Sequence, residues 1–421
     1  MKLKKTILIS RYEPSSWKSC QSIVANLKSA YTELFGADEL IHLNVPSELN
    51  SYQAYKIIQQ LNEHQPEVLI WIDHAPSPAT FLAELNRFYQ GERKPDLLIH
   101  LFGDFVIDCL KWKKVEKELK EWKVHFITAS ERQLRLVQQF VRTHDQVSCI
   151  PFPVDTSFFN SSDLESRRGK IRSRFNVGSD EKMFLYTGRV SFQKNIELLI
   201  KSFASLEKLW KGKATLWISG PLDDILLPYK GKHGLPGSFF THLFYNSDCF
   251  NGQIRYLGNL SPEELKDFYS AADVFVSPST YNDEDFGMSP AEALCMGLDC
   301  ILSDWGGYTS FKNYCDGVEL VKVQMDEERP NVDGREWQKT LAKKMFSPNS
   351  PVEERVLRSQ KAAAHLSVEA IAEKIKISER HFAPVCFTEK FHEMCDSFTK
   401  DKFAPFKEAS LYREVYSVYC D

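Results

Sequence analysis

Short apolar runs alternate with longer amphipathic stretches along most of this chain, and the alternation is interrupted once. The runs at 6–10, 40–43, 68–72, 97–101, 124–128 and 147–150 are rich in Val, Ile and Leu and have the length of buried strands. Between them apolar positions recur at helical spacing. Ile23, Val24, Leu27, Tyr31 and Leu34 fall on one face, and the pattern stops near Gly36. Strands separated by single helices imply βαβ units and a parallel, doubly wound sheet. Pro151-Phe152-Pro153-Val154-Asp155 then breaks the pattern, and 161–174 is polar and charged, as a linker would be. A second alternation follows at 184–187, 215–219, 254–257, 274–277, 300–303 and 318–321. One of its helices has a clear start at Ser261-Pro262-Glu263-Glu264, with Ser as N-cap, Pro at N1 and Glu at N3. The predicted class is α/β, with an N-terminal Rossmann-like domain over 1–160 and a second over 161–384, facing a central cleft. A helical, Phe- and Tyr-rich tail over 385–421 is expected to return to the first domain.

Composition narrows what such a chain can do. Its 421 residues, 43% hydrophobic and 26% charged, are those of a folded multidomain enzyme. Lys and Arg total 53 against 57 for Asp and Glu, a net charge of −4, which argues against a nucleic-acid partner held by phosphate neutralisation. Ten cysteines include no C-x-x-C pair, so neither structural zinc nor a disulfide framework is indicated, and free thiols fit a reducing compartment. The basic start, Met1 to Lys5, is followed by an apolar run too short for a signal peptide and read as the first strand. No run of about eighteen apolar residues suggests a membrane span. A cytoplasmic location is the expectation.

Two segments carry chemistry. In Tyr186-Thr187-Gly188-Arg189-Val190-Ser191-Phe192-Gln193-Lys194-Asn195 a strand ends at Gly188, and a helix begins near Lys194. Two cations then stand at the carboxyl edge of a sheet beside a helix N-terminus, a place for a diphosphate; a solvated βα loop has the same spacing. The second segment is Asp283-Glu284-Asp285-Phe286-Gly287-Met288-Ser289-Pro290-Ala291-Glu292-Ala293-Leu294. Gly287 allows close backbone approach to a ligand, with the amides near Met288 and Ser289 aimed at it. Glu292 has a second reading as the glutamate of a capping box begun by Ser289. Asp283-Glu284-Asp285 imitates an acidic D-x-D metal motif, but the Phe-Gly turn and helix that follow do not suit that role.

These motifs occur in a recognisable order. Gly188-Arg189 with Lys194-Asn195, then Leu257-Gly258-Asn259-Leu260-Ser261-Pro262-Glu263-Glu264-Leu265, then Ala272 to Ser279, then Glu284, Phe286-Gly287 and Glu292-Ala293, and finally Ser303-Asp304-Trp305-Gly306-Gly307, resemble the C-terminal domain of retaining glycosyltransferases of family 4, which have the GT-B fold. The resemblance covers about 180 to 321, and in the first half only Ile150 to Asp155 adds to it. It implies that Arg189 and Lys194 hold the diphosphate of a sugar nucleotide and stabilise it as leaving group. By the same resemblance Glu292 bonds the ribose hydroxyls, Glu284 the transferred sugar, and Gly188, Asp285, Phe286, Gly287, Met288 and Ser289 frame sugar and phosphate. Preorganised cations and amides lower the barrier to charge separation. The co-substrate would be a UDP- or GDP-linked sugar, with no metal or other cofactor.

The first half departs from the family pattern. The loop after the first strand, where the family carries glycines, reads Arg11-Tyr12-Glu13-Pro14-Ser15-Ser16-Trp17. The family's active-site histidine has two candidates at strand ends, His74 and His100, with Gly103-Asp104 favouring His100. In 111–123 an apolar stripe of Trp112, Val115, Leu119 and Trp122 lies among six lysines. It reads either as a surface for anionic membrane or as an ordinary helix packed on the sheet. The segment 220–251 reads as an active-site flap or a surface insertion. The sequence therefore leads to a metal-independent retaining hexosyltransferase acting on a glycan, lipid-linked or protein acceptor. A sugar-nucleotide epimerase or phosphorylase on the same fold, and a non-catalytic sugar-nucleotide-binding protein, are the alternatives. A dinucleotide dehydrogenase is disfavoured, because no G-x-G-x-x-G follows either domain's first strand.

Overall fold

The computed structural model describes residues 5–15, 17–210, 213–222, 253–325, 330–400 and 409–420. All twelve apolar runs are strands. The first six are β1 (Thr6–Arg11), β2 (Leu40–Val45), β3 (Val68–Trp71), β4 (Asp96–His100), β5 (Val124–Thr128) and β6 (Val147–Cys149). They form one parallel sheet in the order β2-β1-β3-β4-β5-β6. Next come β7 (Lys182–Thr187), β8 (Ala214–Ser219), β9 (Ile254–Tyr256), β10 (Val274–Ser277), β11 (Asp299–Ser303) and β12 (Val318–Val321). These form a second parallel sheet in the order β12-β11-β10-β7-β8-β9. Burial follows position. The inner strands β4, β5, β7, β8 and β10 are buried throughout, whereas the edge strand β2 alternates. Helices on both faces demand continuous apolar strands in the middle of such a sheet, and the edges relax that demand.

The chain forms two compact units, Met1–Pro153 with Ser367–Pro405, and Val154–Leu366 with Phe406–Asp421. The sequence places the first boundary near 160, whereas the units divide inside the Pro-rich break, at 153/154. The expected tail is split as well. Residues 367–405 join the first unit, where Val124 bridges Ala383 and the helix Glu389–Lys400 packs on the helix Cys109–Lys114. The last helix, Ala409–Tyr416, belongs to the second unit. The Ser261 capping box forms as expected on the helix Pro262–Ala271, with Glu264 closing it. The segment 220–251 lies outside the described residues from 223 onward.

Each sheet has one point at which the chain reverses its direction of growth. In the first unit it lies between β1 and β3, and in the second between β7 and β10. The crevice beyond the strand ends at such a point is where open α/β sheets accept ligands.

Candidate functional site

The two motif segments of the second unit meet at its reversal point. After β7 the chain makes a tight exit that only glycine permits. Gly188 has φ +146° and Gly220, at the end of the neighbouring β8, has φ +139°; a Cβ on Gly220 would lie 1.8 Å from the Gly188 carbonyl oxygen. The Tyr186 hydroxyl donates to the Arg189 carbonyl at 2.8 Å and fixes the next residue of the loop. A single 3-10 turn, Phe192–Lys194, then leads through Asn195, in the left-handed region, to the helix Ile196–Trp210. Asn195 Nδ2 donates to the Pro278 carbonyl at 3.3 Å, so the loop after β7 is tied to the chain leaving β10.

That second strand exit supplies the acid. Glu284 is buried, 4% exposed, and its Oε1 accepts from both Lys194 Nζ and, at 2.8 Å, Ser279 Oγ. The Arg189 guanidinium and the Lys194 ammonium lie 5.7 and 5.5 Å from the centre of the Tyr281 ring. Arg189, Lys194, Tyr281 and Glu284 therefore form one cluster at the carboxyl edge of the sheet. The middle carboxylate of Asp283-Glu284-Asp285 is thus paired with Lys194. Phe286 is core rather than surface, fully buried with its ring 5.2 Å from Phe311, so it offers a ligand only its backbone. Asp285 is half-buried, and Met288 is buried.

The helix after the acidic loop starts two residues earlier than the capping-box reading of Glu292 requires. Its N-cap is Gly287, φ +103°, and it runs Met288–Cys295 with no side-chain cap. Ser289 is thus inside the first turn, and the capping box is corrected. Its place in the helix turns Glu292 toward Tyr269, whose hydroxyl donates to Glu292 Oε2 at 3.1 Å and itself lies 2.8 Å from Thr187 Oγ1 on β7. Burial pushes the Glu292 carboxyl up to about 7 and the Tyr269 phenol well above its ordinary range. Arg355, itself fully buried, holds this pair in place from the helix Val352–Leu366. Its guanidinium donates to the carbonyls of Tyr269 at 3.1 Å, Ala272 at 2.9 Å and Met296 at 3.3 Å, tying together the C-terminal ends of the helices that carry Tyr269 and Glu292. Tyr269, Tyr281 and Arg355 were not legible as site residues. Only their burial and their partners mark them.

The first unit distinguishes the two histidines. His100 is 1% exposed, its Nε2 sits 2.7 Å from the Tyr31 hydroxyl, and burial lowers it to about 3. It is thus buried against Tyr31 and less accessible than the other candidate. His74 follows β3 at the reversal point of its own sheet. Its ring stacks on Trp17 with centroids 5.9 Å apart, its side chain is 30% exposed, and its backbone N–H donates to Asp73 Oδ1 at 2.8 Å. The glycine-free loop is anchored there as well, since Arg11 Nε lies 3.4 Å from Asp73 Oδ2. The apolar stripe of 111–123 is also corrected as a membrane surface. Trp112, Val115, Leu119 and Trp122 are all within 4% of full burial, and Trp112 packs on Phe105 and Phe126. Several of its lysines are paired, Lys113 with Asp396 and Lys120 with Glu116. Among the described residues no helix is long and apolar enough to cross a membrane.

Comparison with known proteins agrees with the geometry. Residues 167–318 match the family described as "Glycosyl transferases group 1". An uncharacterized glycosyltransferase of Methanocaldococcus jannaschii is 29% identical over 167 residues, 39% of this chain and 38% of that protein. A mannosylfructose-phosphate synthase of Agrobacterium fabrum is 31% identical over 159 residues, 36% of this chain and 31% of that one. The match thus spans about a third of the length of the curated relatives. Among solved structures, Anabaena HepE in complex with UDP and glucose superposes with a TM-score of 0.61 at 13% identity, covering 89% of this chain and 98% of that chain. The fold is that of GT-B glycosyltransferases.

Proposed function

We propose that this chain is a retaining glycosyltransferase that takes a hexose from a nucleotide-activated donor bound in its second unit. The observation that carries the reading is the cluster at the β7/β10 reversal point, where two cations, a buried carboxylate and a helix N-terminus converge within residues 188–292. Departure of a nucleoside diphosphate builds negative charge on the leaving phosphate. Arg189, Lys194 and the amides of Met288 and Ser289 are fixed before the reaction begins, so they stabilise that charge without reorganising. This is chemistry that needs no metal. Glu284 holds Lys194 in place and presents its second oxygen to the transferred sugar. Glu292, at the other end of the same segment, accepts from the ribose hydroxyls.

Same-face attack, with the acceptor hydroxyl giving its proton to the departing phosphate that Arg189 and Lys194 hold, is the stereochemical course of this proposal. The first unit takes the acceptor, with His74 rather than His100 at the end of its strand. UDP and glucose in the HepE structure make UDP-glucose the first donor to try, and the phosphate in the name of the Agrobacterium relative makes a sugar phosphate a sensible first acceptor. The epimerase and non-catalytic readings share the donor site of the second unit and differ in outcome. Purified protein should release nucleoside diphosphate from one common donor, and Glu284→Ala should abolish release while retaining most nucleotide affinity. Nucleotide binding without release or transfer from any donor or acceptor would favour the non-catalytic reading, and inversion at the transferred sugar's anomeric carbon by NMR would refute the retaining course.

A further inference from the structure

The last residues of the chain pack against the back of the donor loops. In the second unit, the Tyr412 hydroxyl donates to Asn282 Oδ1 at 2.6 Å, and both side chains are buried. The Tyr419 ring meets the Trp305 ring edge-on, with centroids 5.3 Å apart, and Tyr416 packs against both Tyr412 and Tyr419. Trp305 in turn donates its indole N–H to the Tyr281 carbonyl at 2.8 Å, and the Gly307 N–H donates to the Glu284 carbonyl at 2.7 Å. Asn282 lies between Tyr281 and Glu284 in sequence. The three tyrosines therefore bear on the two loops, 281–284 and 304–307, whose side chains and backbone hold Arg189, Lys194 and Glu284 in register.

We propose that the C-terminal segment 409–420 is a positioning element for the donor site, setting the 281–284 loop through Tyr412 and the 304–307 loop through Tyr419. The inference rests on the functional reading above. The loop that carries the catalytic acid leaves β10 without regular structure, and irregular loops are held by what packs behind them. Here the backing includes a buried hydrogen bond and an aromatic contact, both from a part of the chain remote in sequence. Tyr412 and Tyr419 act through Asn282 and Trp305.

Full-length wild-type, Tyr412→Phe, Tyr419→Phe and Tyr419→Leu chains, each titrated by calorimetry with UDP, or with GDP or ADP if the wild type prefers one of these, test the proposal, with a melting temperature recorded for each. Tyr412→Phe keeps the ring and loses the hydrogen bond, and nucleotide affinity should fall about fivefold. Tyr419→Leu should lower affinity similarly, and Tyr419→Phe, which keeps the edge-on ring, should restore it. A drop in melting temperature with unchanged affinity in Tyr412→Phe and Tyr419→Leu would show a merely structural tail and overturn the proposal; if Tyr419→Leu does not fold, Tyr412→Phe decides alone. If the wild type binds none of the three nucleotides, the functional reading fails and this one falls with it. Binding by the wild type with unaltered variants defeats the tail's role and leaves the functional reading standing.

Discussion

Glu292→Gln should make the protein more stable at alkaline pH and worse at holding its nucleotide. The Glu292 side chain is 7% exposed, and its carboxyl is raised from 4.5 to about 7 by burial, with the Tyr269 hydrogen bond only partly offsetting this. A group raised in the folded state gives its full stability below the unfolded value, near 4.5, and loses it as pH climbs through the folded value, near 7. The difference between the two values corresponds to a cost on the order of 3 kcal/mol for keeping the carboxylate charged in place at pH 8. Glutamine keeps the shape and the acceptor for Tyr269 and cannot ionise. Thermal or urea denaturation of wild type and variant at pH 5 and pH 8 should show near-equal stability at pH 5 and a variant more stable by about 2–3 kcal/mol at pH 8. The same substitution should weaken nucleoside diphosphate binding, because ribose hydroxyls donate more strongly to a carboxylate than to an amide. A stability gap that does not change with pH would refute the argument that Glu292 is charged at a cost for the sake of a ligand.

Three further outcomes follow from named contacts. Lys194→Met leaves the Glu284 carboxylate buried without its cation, and urea unfolding should show a loss of about 3 kcal/mol, largely recovered when Glu284→Gln is added. Gly220→Ala places a methyl 1.8 Å from the Gly188 oxygen at φ +139° and should cost about 3 kcal/mol or more, whereas Gly36→Ala, with φ +83° and nothing within 4 Å, should cost only about 1 kcal/mol. Trp112→Ala should lower stability by about 3–5 kcal/mol and leave pelleting with anionic vesicles as in the wild type; a selective loss of anionic-vesicle pelleting would restore the membrane reading.

The architecture was legible because it is written in periodicity. Continuous Val/Ile/Leu runs mark inner strands, since a strand buried on both faces admits little else, and shorter runs mark the edges; only the short antiparallel pair Val323–Met325 and Pro330–Val332 lies outside the twelve runs among the described residues. The residues of the candidate site were legible for a different reason: Gly188, Arg189, Lys194, Glu284, Gly287 and Glu292 sit in two short segments whose order could be compared with a family. What was not legible depends on contacts distant in sequence. His100 and His74 are both strand-end histidines, and only Tyr31, brought alongside by the helix Lys18–Phe35, shows that the first is core. The stripe at Trp112 and Trp122 has the periodicity of a membrane surface and of a buried face alike, and the returning helix Glu389–Lys400 decides between them. Glu292 follows the same rule, since the sequence of a capping box was present while the helix began at Gly287.

The central claim is that Arg189 and Glu292 hold the two ends of one nucleoside diphosphate. Titration calorimetry of the full-length chain with UDP, GDP and ADP, repeated for Arg189→Ala and Glu292→Ala, tests it most directly. The account predicts saturable binding of one nucleotide per chain, weakened at least tenfold by either substitution. Binding that survives both substitutions unchanged, or its absence from the wild type, would contradict it.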